Sequence, residues 1–220
     1  WVDDLSAFWR AWKAEMPGPH VLSGHSMGGH LTLRAVAEHA VDPDALVLSA
    51  PMLGMAGPPL PIGALHAIAR LMAGIGGPTR PAWKWSEKPG EAPSGRGDLL
   101  THDADRYEDE LWWRRERPQV SMGPGSWGWV AAAYASSRAL FAPGVLEHAT
   151  VPTLMIATIA DKLVPFGPID RACARMPNAR LVRFGPEARH EILREADPVR
   201  DKAMNEIGRF LDAVAPAPMP

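Results

Sequence analysis

A serine between closely spaced glycines is the first feature of this sequence that could do chemistry. Ser26 lies in Gly24-His25-Ser26-Met27-Gly28, after the apolar run His20–Ser23 and before residues at helical spacing. A serine on a sharp strand-to-helix turn exposes its hydroxyl as a nucleophile, and we expect glycines at 24 and 28 to prevent collisions with it. The Met27 N–H is expected to bind a developing oxyanion. Chance gives about 0.08 such motifs in a chain of this composition, so the alternative of a fortuitous glycine-rich loop is disfavoured.

A nucleophilic serine needs a base, and the base needs an acid that orients it. Asp161 follows a predicted strand that ends at Ala157, and His190 follows a predicted strand that ends at Phe184. The order serine, acid, histidine, with each residue on a loop after a strand, is that of one known class of catalytic triads. Two alternatives stay open: Asp161 as a turn-forming residue and His190 as a solvated loop histidine.

The remaining histidines are poorer candidates for the base. His25 is adjacent to the serine, and the others lie in turns, on helices or outside the strand-end loops: His20, His30, His39, His66, His102 and His148. No pair of them has the spacing of a metal-binding motif. The sequence contains one cysteine, Cys173, which excludes an intrachain disulfide and a thiolate metal cluster. We therefore predict no metal and no cofactor, and we interpret Cys173 as a buried, inert thiol.

Composition excludes several other classes of protein. The formal net charge is −2, from 23 basic and 25 acidic residues, so no overall field attracts nucleic acid and we predict no nucleic-acid partner. Residues 45–69 contain no charged side chain, but Pro51, Pro58, Pro59 and Pro61 prevent one spanning helix.

Alternating strand and helix signals predict an α/β fold with a parallel sheet. The predicted strands are His20–Ser23, Ala45–Ala50, Pro152–Ala157 and Ala179–Phe184. The predicted helices are Val2–Trp12, Leu31–His39, Ile62–Ile75, Asp105–Arg117, Trp127–Phe141, Pro168–Met176 and Asp197–Val214. The alternation is interrupted in the middle of the chain, where 77–97 is predicted as loop. We divide the chain into core residues 1–51, a helical insertion 52–125, core residues 126–214 and a tail 215–220.

Several segments resemble the serine aminopeptidase-like group of α/β-hydrolases, in the branch of lysophospholipase L2 and monoacylglycerol lipase. They are Gly24–Gly29, Val47–Met52, Leu100–Tyr107, Trp127–Val130 and His190–Leu193. The resemblance implies an α/β-hydrolase fold in which Ser26, Asp161 and His190 are catalytic and Met27 binds the oxyanion. It implies that 52–125 is a cap over the active site, and that the substrate is a small-molecule or lipid ester.

The cap also bears on partners and location. The apolar face of Ile62–Ile75 is expected either to line an acyl pocket, to touch a membrane surface, or to pack on the core, which is the commoner outcome. We expect a cytoplasmic protein with peripheral membrane contact through the cap. Rival functions are an acyltransferase, a non-catalytic binding module, or an aminopeptidase that binds an α-amino group through Glu108, Asp109 and Glu110.

The resemblance also concerns the start of the chain. Members of this group carry strands, and a His-Gly loop that completes the oxyanion hole, before the helix in which this chain begins at Trp1. We therefore expect a chain without those N-terminal strands, with half of the oxyanion hole missing. The expected consequences are weak activity, self-association through the strand His20–Ser23, and exposure of Trp9 or Trp12.

Overall fold

The computed structural model describes residues 1–84 and 95–217. The predicted loop 77–97 and the predicted tail 215–220 each lie partly outside these ranges. Along the chain the elements are α1 (Val2–Glu15), β1 (Val21–His25), α2 (Ser26–Ala37), β2 (Ala45–Ser49), α3 (Ile62–Gly76), α4 (Gly97–Leu100), α5 (Ala104–Glu116), α6 (Trp127–Leu140), β3 (Thr153–Thr158), α7 (Phe166–Arg175), β4 (Ala179–Phe184) and α8 (Asp197–Val214). Two 3₁₀ turns, Pro118–Val120 and Ile192–Arg194, complete the described elements.

The four strands form one parallel sheet in the order β1-β2-β3-β4. Leu46 of β2 pairs with Leu22 of β1 and with Thr153 of β3, and Thr153 pairs with Ala179 of β4. The central strands β2 and β3 are buried at every position, as expected for a parallel sheet covered on both faces. The predicted class, a parallel sheet flanked by helices, is confirmed. Because the strands are parallel, all four carboxyl ends lie at one edge.

The helices cover the two faces of the sheet with separate apolar clusters. One cluster joins β2 and β3 to α1, α2, α6 and α7, with Leu33, Leu48 and Met155 among its buried members. The other packs Ile156 and Phe184 against the loop after β4 and α8. The burial of apolar surface in these two clusters stabilises the sheet and thereby fixes the positions of the carboxyl ends of its strands.

The expected exposure of Trp9 or Trp12 is wrong, since Trp9 is buried and Trp12 is half-buried. Trp9 is 3% exposed, its Nε1–H donates to Asp42 Oδ1 at 2.9 Å, and its ring packs against Trp12 and His20. The exposed aromatic side chain of α1 is Phe8. The α1 helix is therefore rotated so that its tryptophans, which bury more surface than phenylalanine, face the core.

Part of the apolar surface of the 52–125 insertion is exposed to solvent. Within α3, Ala69 is buried while Ile68, Leu71 and Ile75 are 45%, 61% and 72% exposed. This outer face therefore does not pack on the core of the described residues. Across those same residues, no helix combines the length and the apolar character that crossing a membrane requires.

Candidate active site

Ser26 occupies the turn between β1 and α2 with a backbone that few residues adopt. Its φ is 52°, in the left-handed region that costs a non-glycine residue energy and is concentrated at functional sites. The turn is fixed from the neighbouring strand, because the Met52 N–H donates to the Ser26 carbonyl at 2.9 Å. The strained geometry raises the serine above the carboxyl edge of the sheet.

The glycines around Ser26 have different roles. A Cβ at Gly24 would lie 2.6 Å from Thr32 Oγ1, and one at Gly29 would lie 3.1 Å from the Gly24 carbonyl oxygen. Both glycines therefore allow α2 to approach β1 closely. A Cβ at Gly28 would meet nothing within 4 Å outside the backbone of α2, so close packing against β1 does not explain this glycine.

Asp161 and His190 lie together after β3 and β4. The His190 Nδ1–H donates to Asp161 Oδ2 at 2.7 Å, and the two side chains are 5% and 2% exposed. The alternative of a solvated His190 is therefore wrong. Asp161 does form a turn as well, because its Oδ1 accepts from the N–H groups of Leu163 and Val164 at 2.8 and 2.9 Å. With Nδ1 donating to the carboxylate, His190 Nε2 has a free lone pair for a proton.

His25 connects this pair to the serine turn. Its ring centroid is 4.8 Å from that of His190, and its Nδ1 is 3.1 Å from the Ser49 carbonyl oxygen. Part of the His25 side chain is exposed. Its partial burial, followed by the charge of the nearby His190, lowers the pKa of His25 from 6.5 to about 4. A neutral His25 therefore packs on His190, and since it precedes Ser26 in the chain, it brings His190 to the serine end of the sheet.

Met27 is the second residue of α2, so its N–H has no acceptor within the helix. The positive end of the helix dipole lies at the same place. The Met27 side chain is held separately, because the Trp129 Nε1–H donates to its sulfur at 3.4 Å. These features suit the N–H for binding an anion.

Other nucleophiles and ligand sets are less suited to chemistry. Cys173 is half-buried on α7, and burial followed by the charge of Asp170 raises the pKa of its thiol, which disfavours the reactive thiolate.

In residues 1–84 and 95–217, no group of three or more histidine, cysteine or acidic side chains could hold a metal ion. Glu110, one of the acids required by the aminopeptidase hypothesis, is 3.3 Å from Arg194 and also pairs with Arg114.

One buried carboxylate near His190 was missed by sequence reasoning. Glu195 is fully buried and accepts hydrogen bonds from the N–H groups of Arg189 and His102. Its charge and its distance of five residues from His190 are visible in the sequence. The contact with His102, which comes from the insertion, is not.

Comparisons with known proteins give a family match and several relatives for this chain. The family described as Hydrolase_4, serine aminopeptidase S33, matches residues 1–197. Lysophospholipase L2 of Escherichia coli strain K12 is 29% identical over 229 residues, which cover 96% of this chain and 63% of that protein. The chain thus spans less than two thirds of the length of this curated relative.

Solved structures share the fold at low sequence identity. The monoacylglycerol lipase of Paleococcus ferrophilus superposes with a TM-score of 0.68 at 18% identity, covering 96% of this chain and 75% of that one. A thermostable carboxyl esterase of Bacillus coagulans, solved with glycerol, gives a TM-score of 0.72 at 16% identity over 97% of this chain and 71% of that one. Both have the α/β-hydrolase fold, and the family match extends over most of the chain. The protein therefore belongs to the serine aminopeptidase S33 family of α/β-hydrolases.

Proposed function

We propose that this protein is a serine hydrolase of carboxylic esters that acts on lipid esters such as lysophospholipids or monoacylglycerols. The observation that supports it most is the buried hydrogen bond between His190 and Asp161, 2.7 Å long, in loops that follow β3 and β4 at the same end of the parallel sheet as Ser26, whose φ is 52°. A strained serine and a histidine oriented by a carboxylate, at the same end of the sheet, are the groups that acyl transfer requires.

In the first half of the reaction, Ser26 Oγ attacks the ester carbonyl carbon and its proton passes to His190 Nε2. The Met27 N–H donates to the oxygen that becomes negative in the tetrahedral intermediate. Asp161 stabilises the imidazolium and keeps His190 in the useful tautomer. Collapse of the intermediate breaks the ester C–O bond, and His190 returns the proton to the departing alcohol, leaving an acyl group on Ser26.

In the second half, water attacks the acyl-enzyme and His190 Nε2 accepts its proton. The second tetrahedral intermediate releases a fatty acid and restores the Ser26 hydroxyl. No group besides these side chains, the Met27 N–H and water is needed for the atoms to balance.

The preference for a lipid is supported by an apolar cleft of about 590 Å³. It lies between α3, α6 and the start of α7, and its apolar lining includes Leu53, Met55, Leu60, Ile62, Leu65 and Phe141. Its volume is in the range of small-molecule sites. Leu53, one of its lining residues, follows Met52 in the chain, and the Met52 N–H is bonded to the Ser26 carbonyl. The names of relatives, a lysophospholipase and a monoacylglycerol lipase, suggest the same class of substrate.

We also propose that residues 52–125 are the cap and that its outer surface contacts lipid. Ile68, Leu71 and Ile75 of α3 stand out from the protein surface, and Arg70 is an exposed cation beside them. Apolar side chains flanked by a cation favour an anionic membrane surface over bulk water.

A substrate panel tests the proposed function. The chain is assayed with p-nitrophenyl esters from acetate to palmitate, with lysophosphatidylcholine and monoacylglycerol, and with aminoacyl p-nitroanilides. We expect ester cleavage that favours the longer acyl chains and disappears in Ser26→Ala. Preferential cleavage of the anilides would favour an aminopeptidase, and lipid binding without turnover would favour a binding module.

A further inference from the structure

A buried acid that the proposed reaction does not use lies five residues after His190. The Glu195 side chain is 0% exposed. Its Oε1 accepts from the Arg189 N–H at 2.7 Å and its Oε2 accepts from the His102 N–H at 3.0 Å. His102 Nδ1 is 2.9 Å from Oε1. An acid removed from water is costly unless its oxygens are hydrogen-bonded, so this site is built around the carboxylate.

The two donors come from distant parts of the chain. Arg189 is the neighbour of His190, whereas His102 belongs to the 52–125 insertion. Glu195 therefore bonds the loop after β4 that carries Arg189 and His190, the histidine loop, to a second segment of the chain. The strand β4 ends at Phe184, so the strand itself does not hold this loop in place. The second segment does.

Further hydrogen bonds join the same two segments. The Glu191 N–H donates to the Leu100 carbonyl at 2.8 Å, and Thr101 Oγ1 donates to the Arg194 carbonyl at 2.8 Å. Arg189 Nη1 donates to the Thr101 carbonyl, also at 2.8 Å. The loop is thus bound to residues 100–102 on both sides of His190, and Glu195 is the buried acceptor at the centre.

We propose that Glu195 is a positioning residue that acts through Arg189 and His102 to hold the His190 loop where His190 meets both Asp161 and Ser26. This inference rests on the proposed function. Glu195 touches neither substrate nor reacting atoms, and its effect is on the geometry of the histidine. A displacement of a catalytic group by about 1 Å can cost on the order of 10²-fold in rate.

The arrangement requires a carboxylate specifically. The two backbone N–H donors reach two different oxygens. Glutamine has one acceptor oxygen, so Glu195→Gln leaves one backbone N–H facing an amide NH₂. Aspartate retains both acceptors on a shorter side chain, so Glu195→Asp is expected to restore part of the lost function.

The test compares Glu195→Gln with Glu206→Gln in the full chain. Glu206, on α8, forms an ion pair with Arg180 of β4 at 3.0 Å. Its variant therefore also replaces a glutamate by a glutamine, but at a position away from the histidine loop. We expect Glu195→Gln to lower kcat for a p-nitrophenyl ester about 10- to 100-fold with KM changed less than about threefold, and Glu206→Gln to change neither. Rescue of kcat by Glu195→Asp is expected.

A second readout does not depend on turnover. The proton between His190 Nδ1 and Asp161 Oδ2, which are 2.7 Å apart, is expected to give a far-downfield NMR signal. Glu195→Gln is expected to shift or broaden that signal, while Glu206→Gln leaves it in place. Normal kcat with an unchanged signal in Glu195→Gln would overturn the positioning role. If the wild-type chain cleaves no ester but the signal still moves, the proposed function fails and the positioning role stands.

Folding is checked with a milder variant. If Glu195→Gln does not fold, His102→Ala removes the ring contact from a side chain that is 40% exposed and keeps both backbone donors. We then expect a fall in kcat of about three- to tenfold with a shifted proton signal. A folded His102→Ala with wild-type kcat and signal would contradict the proposal.

Discussion

Asp161 binds His190 with one carboxylate oxygen and its own loop with the other. Oδ2 accepts from His190 Nδ1 at 2.7 Å, while Oδ1 accepts from the N–H groups of Leu163 and Val164. The carboxylate therefore cannot rotate away from the histidine without losing its turn bonds. The hydrogen bonds that fold this loop also fix the direction of the acid.

Asp161→Asn is expected to lower kcat at least about 10²-fold, because the amide geometry inverts the histidine tautomer. The Asn oxygen retains the bonds to Leu163 and Val164, so its NH₂ faces His190 Nδ1. His190 must then accept at Nδ1 and carry its proton on Nε2, where Ser26 needs a base. Steady-state kinetics on a p-nitrophenyl ester measures the effect.

Asp170→Asn is the matched control for this prediction. Asp170 pairs with Arg183 at 3.3 Å on a half-exposed surface, and we expect its kcat to stay within about twofold of wild type. Equal losses in the two variants would leave Asp161 without a special role.

The stability of the protein is expected to fall as the pH drops below 6.5. Burial, followed by the charge of Arg34, lowers the pKa of His30 from 6.5 to about 4. Above pH 6.5 the ring is neutral in both states. Between pH 6.5 and about 4 the unfolded chain binds a proton that the folded chain does not, so the free energy of unfolding falls. This histidine contributes at most about 3 kcal/mol over that interval.

Urea unfolding at a series of pH values measures this dependence. His30→Gln is expected to reduce the slope of the curve between pH 4 and 6.5, while the contribution of His25, whose pKa is also lowered to about 4, remains. Glutamine can still bond to Ser136, whose Oγ lies 2.6 Å from the His30 Nε2. His148→Gln, at an exposed position, is expected to leave the curve unchanged. An identical slope in wild type and His30→Gln would contradict the assigned pKa.

The double variant Leu71→Ser/Ile75→Ser is expected to weaken binding to anionic vesicles at least about threefold, because it removes exposed apolar surface from α3. Hydrolysis of a dissolved short-chain ester should stay near wild type, since both side chains point away from the protein. Vesicle co-sedimentation and an esterase assay give the two quantities. Met204→Ser on α8, at a residue 52% exposed, is the control, and an equal loss in both would reject a dedicated lipid-binding face.

Much of the fold follows from local patterns in the sequence. The strand Ala179–Phe184 is observed with its predicted bounds, because apolar residues and turn residues mark both ends. The first strand is predicted to end at Ser23 but continues to His25, where Gly24 and His25 pair with Leu48 and Ser49. The predicted helix begins at Leu31, whereas α2 begins at Ser26, because packing against β1 overrides the low helix propensity of Gly28 and Gly29.

The candidate site also has a part that can be predicted from the sequence and a part that cannot. The positions of Ser26, Asp161 and His190 at strand ends can be predicted, since the carboxyl ends of parallel strands must meet. The contact of His102 with Glu195 cannot, because it joins residues 93 positions apart that belong to no common strand pair. It depends on how the insertion packs on the histidine loop, which no local pattern encodes.

The central claim is that Ser26 is the nucleophile, and covalent labelling tests it most directly. The chain is treated with a fluorophosphonate, digested, and analysed by mass spectrometry to locate the adduct. The predicted result is one phosphonylated peptide modified at Ser26, retained in Ser23→Ala and absent in Ser26→Ala, whose ester hydrolysis falls by about 10³-fold or more. An adduct on any other residue, or labelling that survives in Ser26→Ala, would contradict the account.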